Sequence, residues 1–292
     1  MSSRRVWFIT GAASGFGRTL TELVLRQGEA VVATDIAPAT LNQLQSTHPK
    51  SLLVHKLDVA QPDEIKNAFA VALERFGRID VVFNNAGYTV VGEVEGTSME
   101  AARALFDVLF WGATQVSIEA IRIFREANKP PGGRLITTSS LMGVVSSPVA
   151  GYYSAAKHAI EGLSASLAAE LDPEWNIRIT LVEPAMFRTG GVAATKVHPV
   201  HPAYNKPSLP STMLREMLNN PEFFPNDPEK AAKVLFRLSN EPNPPLKLAL
   251  SAESVAAIKA SLDQQLTSLH NYASWSENLT FDQPPKEQTN SK

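Results

Sequence analysis

The chain has 292 residues, of which 44% are hydrophobic and 19% are charged, and this composition allows a substantial core. Its formal net charge of -2 gives no electrostatic reason to expect binding to nucleic acid or to an anionic membrane. The absence of cysteine excludes disulfides, thiol nucleophiles and thiolate metal ligands. No stretch reaches the roughly 18 apolar residues of a membrane span, so we expect a soluble cytoplasmic protein.

Apolar runs and amphipathic stretches alternate along most of the chain. Such near-continuous apolar runs predict a parallel sheet covered by helices on both faces. The fold class is therefore α/β, with about seven strands in one doubly wound domain over residues 1–281. The predicted strands are 6–10, 30–35, 52–57, 79–84, 134–139, 177–183 and 246–250; the predicted helices are 17–27, 40–47, 62–75, 98–128 and 151–171, with Ser98 as a helix N-cap.

Two segments depart from this alternation. Residues 190–228 are rich in proline and form a long excursion after the sixth strand. Its place in such a sheet predicts a lid beside the site, although surface decoration is the alternative. The polar tail 282–292 is predicted to be disordered.

A glycine-rich loop connects the first strand to the first helix. The loop runs Thr10-Gly11-Ala12-Ala13-Ser14-Gly15-Phe16-Gly17. Glycines let backbone N–H groups approach a pyrophosphate, and the N-terminus of the following helix adds partial positive charge. An ordinary tight turn uses the same residue types, but the strand–loop–helix context favours a phosphate cradle.

Acidic residues end the next two strands. Asp35 lies 18 residues after Gly17, close to the spacing at which a carboxylate meets the ribose 2′-hydroxyl of a dinucleotide. It would repel a 2′-phosphate, and neither Ser14 nor Ile36 offers a positive charge, so NAD is predicted over NADP. Asp58, followed by Val59, could accept a hydrogen bond from adenine or could simply be a turn residue.

Six motifs follow one another in a recognisable order. They are Thr10–Gly17, Asp58-Val59, Asn84-Asn85-Ala86-Gly87, Ser140, Tyr153-Ser154-Ala155-Ala156-Lys157, and Pro184 followed by Thr189. In this order the chain resembles the short-chain dehydrogenase/reductase superfamily over about residues 5–190, and more loosely to 260. The resemblance implies a Rossmann-type domain, a nicotinamide cofactor, and a homodimer or homotetramer formed through the helices at 98–128 and 151–171.

Tyr153 and Lys157 are four residues apart on a predicted helix and so share one face. A nearby ammonium and an oxidised nicotinamide would lower the tyrosine pKa, so that Tyr153 can act as general acid and base at a substrate oxygen. By resemblance, Lys157 also holds the nicotinamide ribose. Ser140 would hydrogen-bond the substrate oxygen, and it lacks the Gly-x-Ser-x-Gly elbow of a hydrolase nucleophile.

The resemblance assigns further residues to cofactor binding. Asn85 and Gly87 would lie near the cofactor, with a plain turn as the alternative, and Thr189 would contact the carboxamide. Ala185 stands where relatives commonly have glycine, which is a mild change. The complete predicted set is Gly11, Ser14, Gly15, Phe16, Gly17, Asp35, Ile36, Asp58, Val59, Asn85, Ala86, Gly87, Tyr153, Lys157, Pro184, Phe187 and Thr189.

One residue departs from the family pattern. Relatives usually carry asparagine where Leu109 stands, and that asparagine supports a helix distortion and a water in the proton relay from the lysine. Leucine has no polar side-chain atom to hold a water. Either water reaches Lys157 by another route, or the redox reaction is impaired or replaced.

Two functions therefore remain open. The leading hypothesis is a nicotinamide-dependent oxidoreductase that interconverts a secondary alcohol and a ketone on an apolar small molecule. The apolar substrate is suggested by residues near the expected pocket that could equally be core packing: Met142, Val144, Val145, Met186 and Phe187. The alternative is a cyclase, an isomerase or a cofactor-binding partner without ordinary redox turnover. No metal is predicted, because His198 and His201 lie in a proline-rich loop without neighbouring carboxylates.

Overall fold

The computed structural model describes residues 4–189 and 195–280. Seven parallel strands form one sheet in the order β3-β2-β1-β4-β6-β7-β9, which confirms the predicted doubly wound α/β fold. The strands are β1 (Val6–Thr10), β2 (Ala30–Asp35), β3 (Leu52–Lys56), β4 (Val81–Asn84), β5 (Val90–Val91), β6 (Gly133–Thr138), β7 (Ile177–Pro184), β8 (Lys196–Val197) and β9 (Lys247–Leu250). The predicted tail 282–292 and part of the predicted excursion, 190–194, lie outside the described residues.

Helices cover both faces of the sheet. They are α1 (Gly15–Arg26), α2 (Asn42–Thr47), α3 (Pro62–Phe76), α4 (Met99–Phe106), α5 (Ala113–Glu126), α6 (Gly151–Glu170), α7 (Pro210–Leu218), α8 (Pro228–Ser239) and α9 (Ala252–Tyr272). The helix predicted at 98–128 begins as expected, since Ser98 Oγ accepts a hydrogen bond from the Ala101 N–H. It is not one regular helix, however, because a π-helical segment, Asp107–Gly112, separates α4 from α5.

The central strand β1 shows why the sequence gives this sheet. All five of its residues are buried, and successive side chains point to opposite faces. Phe8 stacks on Phe69 of α3 with ring centroids 4.1 Å apart, whereas Trp7 stacks on Phe236 of α8 at 6.0 Å. A strand between two layers of helices must be apolar on both sides, so it reads as an unbroken hydrophobic run.

The expectation that no stretch is apolar and long enough for a membrane span is wrong. The helical stretch Met99–Glu126 is long and apolar enough to cross a membrane by length and composition alone. Half of its most apolar window is buried inside the protein, and Val116, Ala120 and Phe124 belong to the core between α5 and the sheet. Its hydropathy therefore has an explanation within the fold.

The strand order places a crevice at one edge of the sheet. The chain moves outward in one direction from β1 to β3 and in the other from β4 to β9. The loops after β1 and β4 therefore diverge, and a cleft opens at the carboxyl ends of these strands. The glycine loop and the other sequence motifs follow strands that end at this edge.

Candidate active site

The glycine loop has the conformation that an anion cradle requires. Gly11 and Gly15 have φ values of 65° and 51°, a region that side-chain-bearing residues rarely adopt. A Cβ atom on Gly11 would lie 2.9 Å from the Cα of Ala86. Ser14 makes no side-chain hydrogen bond to the first turn of α1, and that turn has no acidic residue. The backbone N–H groups at this helix end are thus available to a phosphate.

Asp35 braces this loop from the end of β2. Its Oδ2 accepts a hydrogen bond from the Ala13 N–H at 3.0 Å, and its Oδ1 accepts one from the Ala37 N–H at 3.0 Å. Ile36 beside it is largely exposed. The carboxylate therefore lies where β2 meets the glycine loop.

The turn after β4 is tied to the end of β1. The Thr10 hydroxyl accepts hydrogen bonds from the N–H groups of Asn85 and Ala86 at 2.8 and 2.9 Å. The Asn85 side chain in turn accepts a hydrogen bond from the Thr138 hydroxyl at 3.2 Å. Asn84 points away into the core, where its amide donates to the Ala113 carbonyl. Asn85 and Gly87 thus face the crevice, and Asn84 holds the sheet to α5.

Asp58 and Val59 occupy a tight turn before α3. The Asp58 Oδ1 accepts a hydrogen bond from the Ala60 N–H at 2.9 Å, and the Asp58 N–H donates to Glu64 at 2.8 Å. Val59 is buried, and a Cβ atom on Gly112 would lie 2.6 Å from its carbonyl oxygen. Both residues have local structural partners, in keeping with the turn interpretation of Asp58.

A cavity of about 380 Å³ opens in the crevice. Of the predicted site residues, the following line it: Ser14, Gly15, Phe16, Asn85, Gly87, Ser140, Tyr153, Lys157, Pro184, Phe187 and Thr189. Gly11, Gly17, Asp35, Ile36, Asp58, Val59 and Ala86 do not line this cavity. Apolar side chains complete much of the wall, among them Val91, Leu109, Val149, Met186 and Leu214.

Tyr153, Ser140 and Lys157 converge on one side of this cavity. The Tyr153 hydroxyl lies close enough to the side chains of Ser140 and Thr89 for both to act on its pKa. Lys157 Nζ donates to the Thr138 carbonyl at 2.7 Å and lies 5.7 Å from the centre of the Tyr153 ring. Ser140 is positioned by the Met142 N–H, which donates to its Oγ at 3.1 Å. Thr89 is a partner that the sequence motifs did not reveal.

The pKa of Tyr153 in the protein alone is governed by its burial. Burial raises it above the ordinary value, although the hydrogen bonds from Ser140 and Thr89 oppose that rise. Burial also lowers the pKa of Lys157 to about 8, and the nearby Glu161 acts in the opposite direction. The predicted lowering of the Tyr153 pKa involves a bound oxidised nicotinamide as well as the ammonium, so it stays a prediction.

Leu109 lies in the π-helical segment and is 2% exposed. It packs with Leu105, Val90 and Ala156, next to the Tyr153 ring. The fit is close, since a Cβ atom on Gly87 would lie 2.6 Å from Leu109 Cδ2. The helix distortion that the family asparagine supports therefore forms here with leucine, whose side chain is purely apolar.

The excursion after β7 contributes to the cavity wall. β8 pairs with β5 in a two-stranded parallel sheet, and α7 supplies Leu214 and Leu218 to the lining. Arg215 of α7 forms an ion pair with the buried Glu93 at 2.8 Å. Although burial acts to raise the pKa of Glu93, the hydrogen bonds from Arg215 prevail and hold it below its ordinary value.

The two histidines of the excursion have other roles. The His198 side chain packs against Gly92, and the His201 ring accepts a hydrogen bond from the Ala203 N–H. Within residues 4–189 and 195–280, no three histidine, aspartate or glutamate side chains gather into a possible metal site.

Glu161 and Glu183 form a buried acidic pair beside Lys157 that the sequence analysis missed. They are 4% and 3% exposed, and Lys247 Nζ lies 2.7 Å from Glu161 Oε2. Burial and the neighbouring Glu161 raise the pKa of Glu183 to about 7, although Lys247 opposes the rise. The available sequence signal was the position of Glu161, one helical turn after Lys157.

This pair gives the protein a pH-dependent stability. Between pH 4.5 and about 7, the folded protein holds a proton on Glu183 that the unfolded chain has lost. Stability should therefore fall by up to about 3 kcal/mol as the pH rises through this window. Glu183→Gln removes that fall, so urea denaturation near pH 5 and pH 8 should give more similar free energies of unfolding than in the wild type. Identical pH dependence in the two proteins would contradict the assignment; Glu170→Gln, on the exposed side of α6, is the control.

Known proteins share both the sequence and the fold of this chain. The sequence profile described as short chain dehydrogenase matches residues 5–198. An uncharacterised oxidoreductase of Schizosaccharomyces pombe is 38% identical over 252 residues, which cover 86% of this chain and 83% of that relative. An oxidoreductase of Penicillium decumbens is 34% identical over 279 residues, with 92% and 91% coverage. A short-chain dehydrogenase structure from Streptomyces avermitilis superposes with a TM-score of 0.87 and 32% identity over 96% of this chain and 100% of that one.

Proposed function

We propose a function for this chain, which belongs to the short-chain dehydrogenase family. It is an NAD(H)-dependent oxidoreductase that interconverts a secondary alcohol and a ketone on an apolar small molecule. The observation that carries the proposal is the convergence of Tyr153, Ser140 and Lys157 on a cavity that the glycine loop also lines. A hydroxyl that can exchange a proton thus lies in the same cavity as the dinucleotide cradle.

The residues at the glycine loop fit a dinucleotide. Gly11 and Gly15 keep side chains out of the cradle, and the N-terminus of α1 has no internal cap. The first turn of α1 would hold the pyrophosphate, Asp35 the adenosine ribose, and Lys157 the nicotinamide ribose. When bound, the nicotinamide supplies or accepts the hydride.

The remaining chemistry is proton transfer at the substrate oxygen. Ser140 would hydrogen-bond this oxygen, and Tyr153 would take its proton during alcohol oxidation or donate one during ketone reduction. Burial raises the tyrosine pKa in the protein alone, so the phenol form is favoured. The positive charge of Lys157 at neutral pH stabilises the phenolate when it forms.

The cavity favours an apolar substrate. Apolar side chains line much of it, among them Leu214, Leu218 and Phe224. A second cavity of about 470 Å³ adjoins it and shares Met142, Ala185, Met186 and Leu214 with it. A substrate larger than the first cavity could therefore extend into the second.

Turnover assays test this function directly. Purified protein should reduce apolar ketones with NADH, or oxidise the matching alcohols with NAD, as followed by nicotinamide absorbance. Cofactor binding without turnover on a broad panel would instead support a non-redox activity or a binding role. The buried Leu109 is the observation that favours this alternative, because it places an apolar side chain next to the proposed proton donor where the family commonly has asparagine.

The cofactor preference depends on Asp35. Asp35→Ser removes the charge that would repel a 2′-phosphate but keeps a hydrogen-bonding group for the Ala13 N–H. We expect weaker NAD binding and stronger NADP binding, with the ratio of affinities shifting about tenfold or more, since one charged hydrogen bond contributes roughly 1.5–3 kcal/mol. Titration of both coenzymes into the wild type and the variant measures this shift. An unchanged ratio would show that Asp35 does not face the ribose.

We also propose a cytoplasmic homodimer or homotetramer. The helices at 98–128 and 151–171 would form the contact, and Trp111 and Ile118 on the first of them are 56% and 49% exposed. Sedimentation at several protein concentrations would test the assembly.

A further inference from the structure

The sheet-facing side of α6 carries a buried polar stripe. Ser154, Lys157 and Glu161 are spaced by three and four residues, so they lie along one side of the helix, and all three are buried. Lys157 reaches the end of β6, where its ammonium donates to the Thr138 carbonyl. Glu161 lies one turn further along, away from the Tyr153 cavity and towards β9, where Lys247 meets it.

Polar side chains of the sheet lie on the face that packs against this stripe. Thr137 lies on β6 and Ser139 follows that strand, and both share a face of the sheet with Leu135. Glu183 on β7 shares a face with Ile179, because side chains alternate along a strand. Leu135 and Ile179 belong to the same core cluster, which fixes these polar groups on a common face. A Cβ atom on Gly143 would touch both Ser139 Oγ, at 2.5 Å, and Glu161 Cγ, at 3.1 Å, so these two side chains lie close together.

Within the described residues, these polar atoms are buried without hydrogen-bond partners. They are Thr137 Oγ1, Ser139 Oγ, Ser154 Oγ, Glu161 Oε1 and Oε2, and Glu183 Oε1. Lys247 Nζ approaches Glu161 Oε2 to 2.7 Å, but not in the direction of a hydrogen bond. Buried polar groups of this kind normally bind ordered water or share protons.

The cluster continues to solvent on the side remote from Tyr153. The Lys247 side chain is 47% exposed, whereas that of Glu161 is 5% exposed. One end of the cluster is thus the buried ammonium of Lys157, and the other is a surface ammonium. The side of Tyr153 where the family asparagine would stand is filled by Leu109, which packs against Gly87.

We propose that Glu161 and Glu183 carry the proton between Lys157 and solvent, in place of the route that the asparagine at position 109 would support. The proposal rests on the proposed function. In alcohol oxidation the hydroxyl proton passes to Tyr153, while a bound nicotinamide would accept the hydride. Lys157 gives a proton to the Glu161–Glu183 pair and regains one from Tyr153, and the pair releases one proton to solvent beside Lys247. Only O–H and N–H bonds form and break in this relay.

The surrounding charges suit this role. Glu161 is the charged group that acts on Lys157, and Glu161 and Lys247 are the charged groups that act on Glu183. The polar groups that β6 and the residue after it place on this face are hydroxyls, and Glu253 of α9 accepts a hydrogen bond from Asn226. The pKa values of about 8 for Lys157 and about 7 for Glu183 lie close to neutrality, so both groups can gain and lose a proton near neutral pH.

Rescue kinetics test the relay. Glu161→Gln and Glu183→Gln should each lower kcat by less than the roughly 100-fold that loss of a direct proton donor gives. They should also enlarge the solvent deuterium isotope effect on kcat and leave the dinucleotide Kd unchanged. Adding Leu109→Asn to Glu161→Gln should restore most of the lost kcat, because it offers the proton a second route. Glu170→Gln, on the exposed side of the same helix, is the control.

Two kinetic results would overturn the relay. One is a set of pH profiles and isotope effects that match the wild type in both glutamine variants. The other is a loss of kcat in Glu161→Gln that Leu109→Asn does not repair. If Glu161 had only a structural role, a substitution on the opposite side of Tyr153 would not restore the lost kcat. Wild-type protein that turns over no alcohol or ketone would overturn the proposed function together with the relay.

An infrared measurement tests the acidic pair without cofactor or substrate. Near pH 6 the wild type should show a protonated carboxyl band that is lost in Glu183→Gln and kept in Glu170→Gln. Absence of this band in wild-type protein that does turn over would overturn the relay and leave the proposed function standing.

Discussion

Tyr153→Phe is expected to lower kcat by about 100- to 10,000-fold while the protein stays folded and binds dinucleotide. The substitution removes only the hydroxyl, so the ring keeps its packing against Leu109 and its neighbours. Without that hydroxyl, the substrate oxygen loses its proposed proton donor. Steady-state kinetics, together with dinucleotide titration, separate the loss of chemistry from any loss of binding.

The neighbouring tyrosine provides the matched control. The Tyr152 hydroxyl donates a hydrogen bond to the sulfur of Met99 at 3.6 Å, and Tyr152 has no lysine four residues later. Tyr152→Phe should therefore leave kcat nearly unchanged. If Tyr153→Phe keeps most of its activity, Tyr153 is not the proton donor, and the assignment built on the Tyr-x-x-x-Lys spacing fails.

The sheet could be predicted from the sequence because its strands are buried on both faces. Each of the seven sheet strands was expected within two residues of its observed ends, since a parallel strand between helices gives an uninterrupted apolar run. β5 and β8 were not predicted. They have only two residues each, which is too short to show any periodicity, and they are paired by contacts distant in the chain.

The irregular helix and the last helices were harder to predict. The π-helical segment 107–112 leaves the apolar pattern on both sides almost intact, so the stretch looked like one helix. The start of α8 did carry a signal, since Asp227 caps the helix and Pro228 occupies its first turn. The proline content of the preceding excursion obscured that signal.

The candidate site, like the fold, could be predicted from the sequence only in part. Motif spacing was enough to expect Ser140, Tyr153 and Lys157 near one another, because strand ends and helix turns fix their positions, but it did not reveal Thr89. It could not predict that burial raises the Tyr153 pKa in the protein alone, because that rise depends on how much protein surrounds the ring. The Glu161–Glu183 pair also escaped notice, since two acids 22 residues apart come together only when α6 packs on β7.

Gly17→Ala is expected to disrupt both stability and dinucleotide binding. The new Cβ atom would lie 2.2 Å from the carbonyl oxygen of Gly11 and 2.8 Å from its carbonyl carbon. Because both atoms belong to the backbone, no rotamer change relieves the contact, and α1 must move away from the loop. Overpacking of this kind costs about 1–3 kcal/mol or more, and the movement displaces the N–H groups proposed to bind pyrophosphate.

Denaturant midpoints and dinucleotide titrations measure the two effects, and Gly162→Ala is the matched control. Gly162 lies within α6, and a Cβ atom there would meet no other atom within 4 Å. The same added methyl group should stabilise the protein by up to about 1 kcal/mol at this helical position, and dinucleotide affinity should not change. If Gly17→Ala instead binds dinucleotide as tightly as the wild type, the close contact between α1 and the loop is not what shapes the cradle, and the cofactor must lie elsewhere.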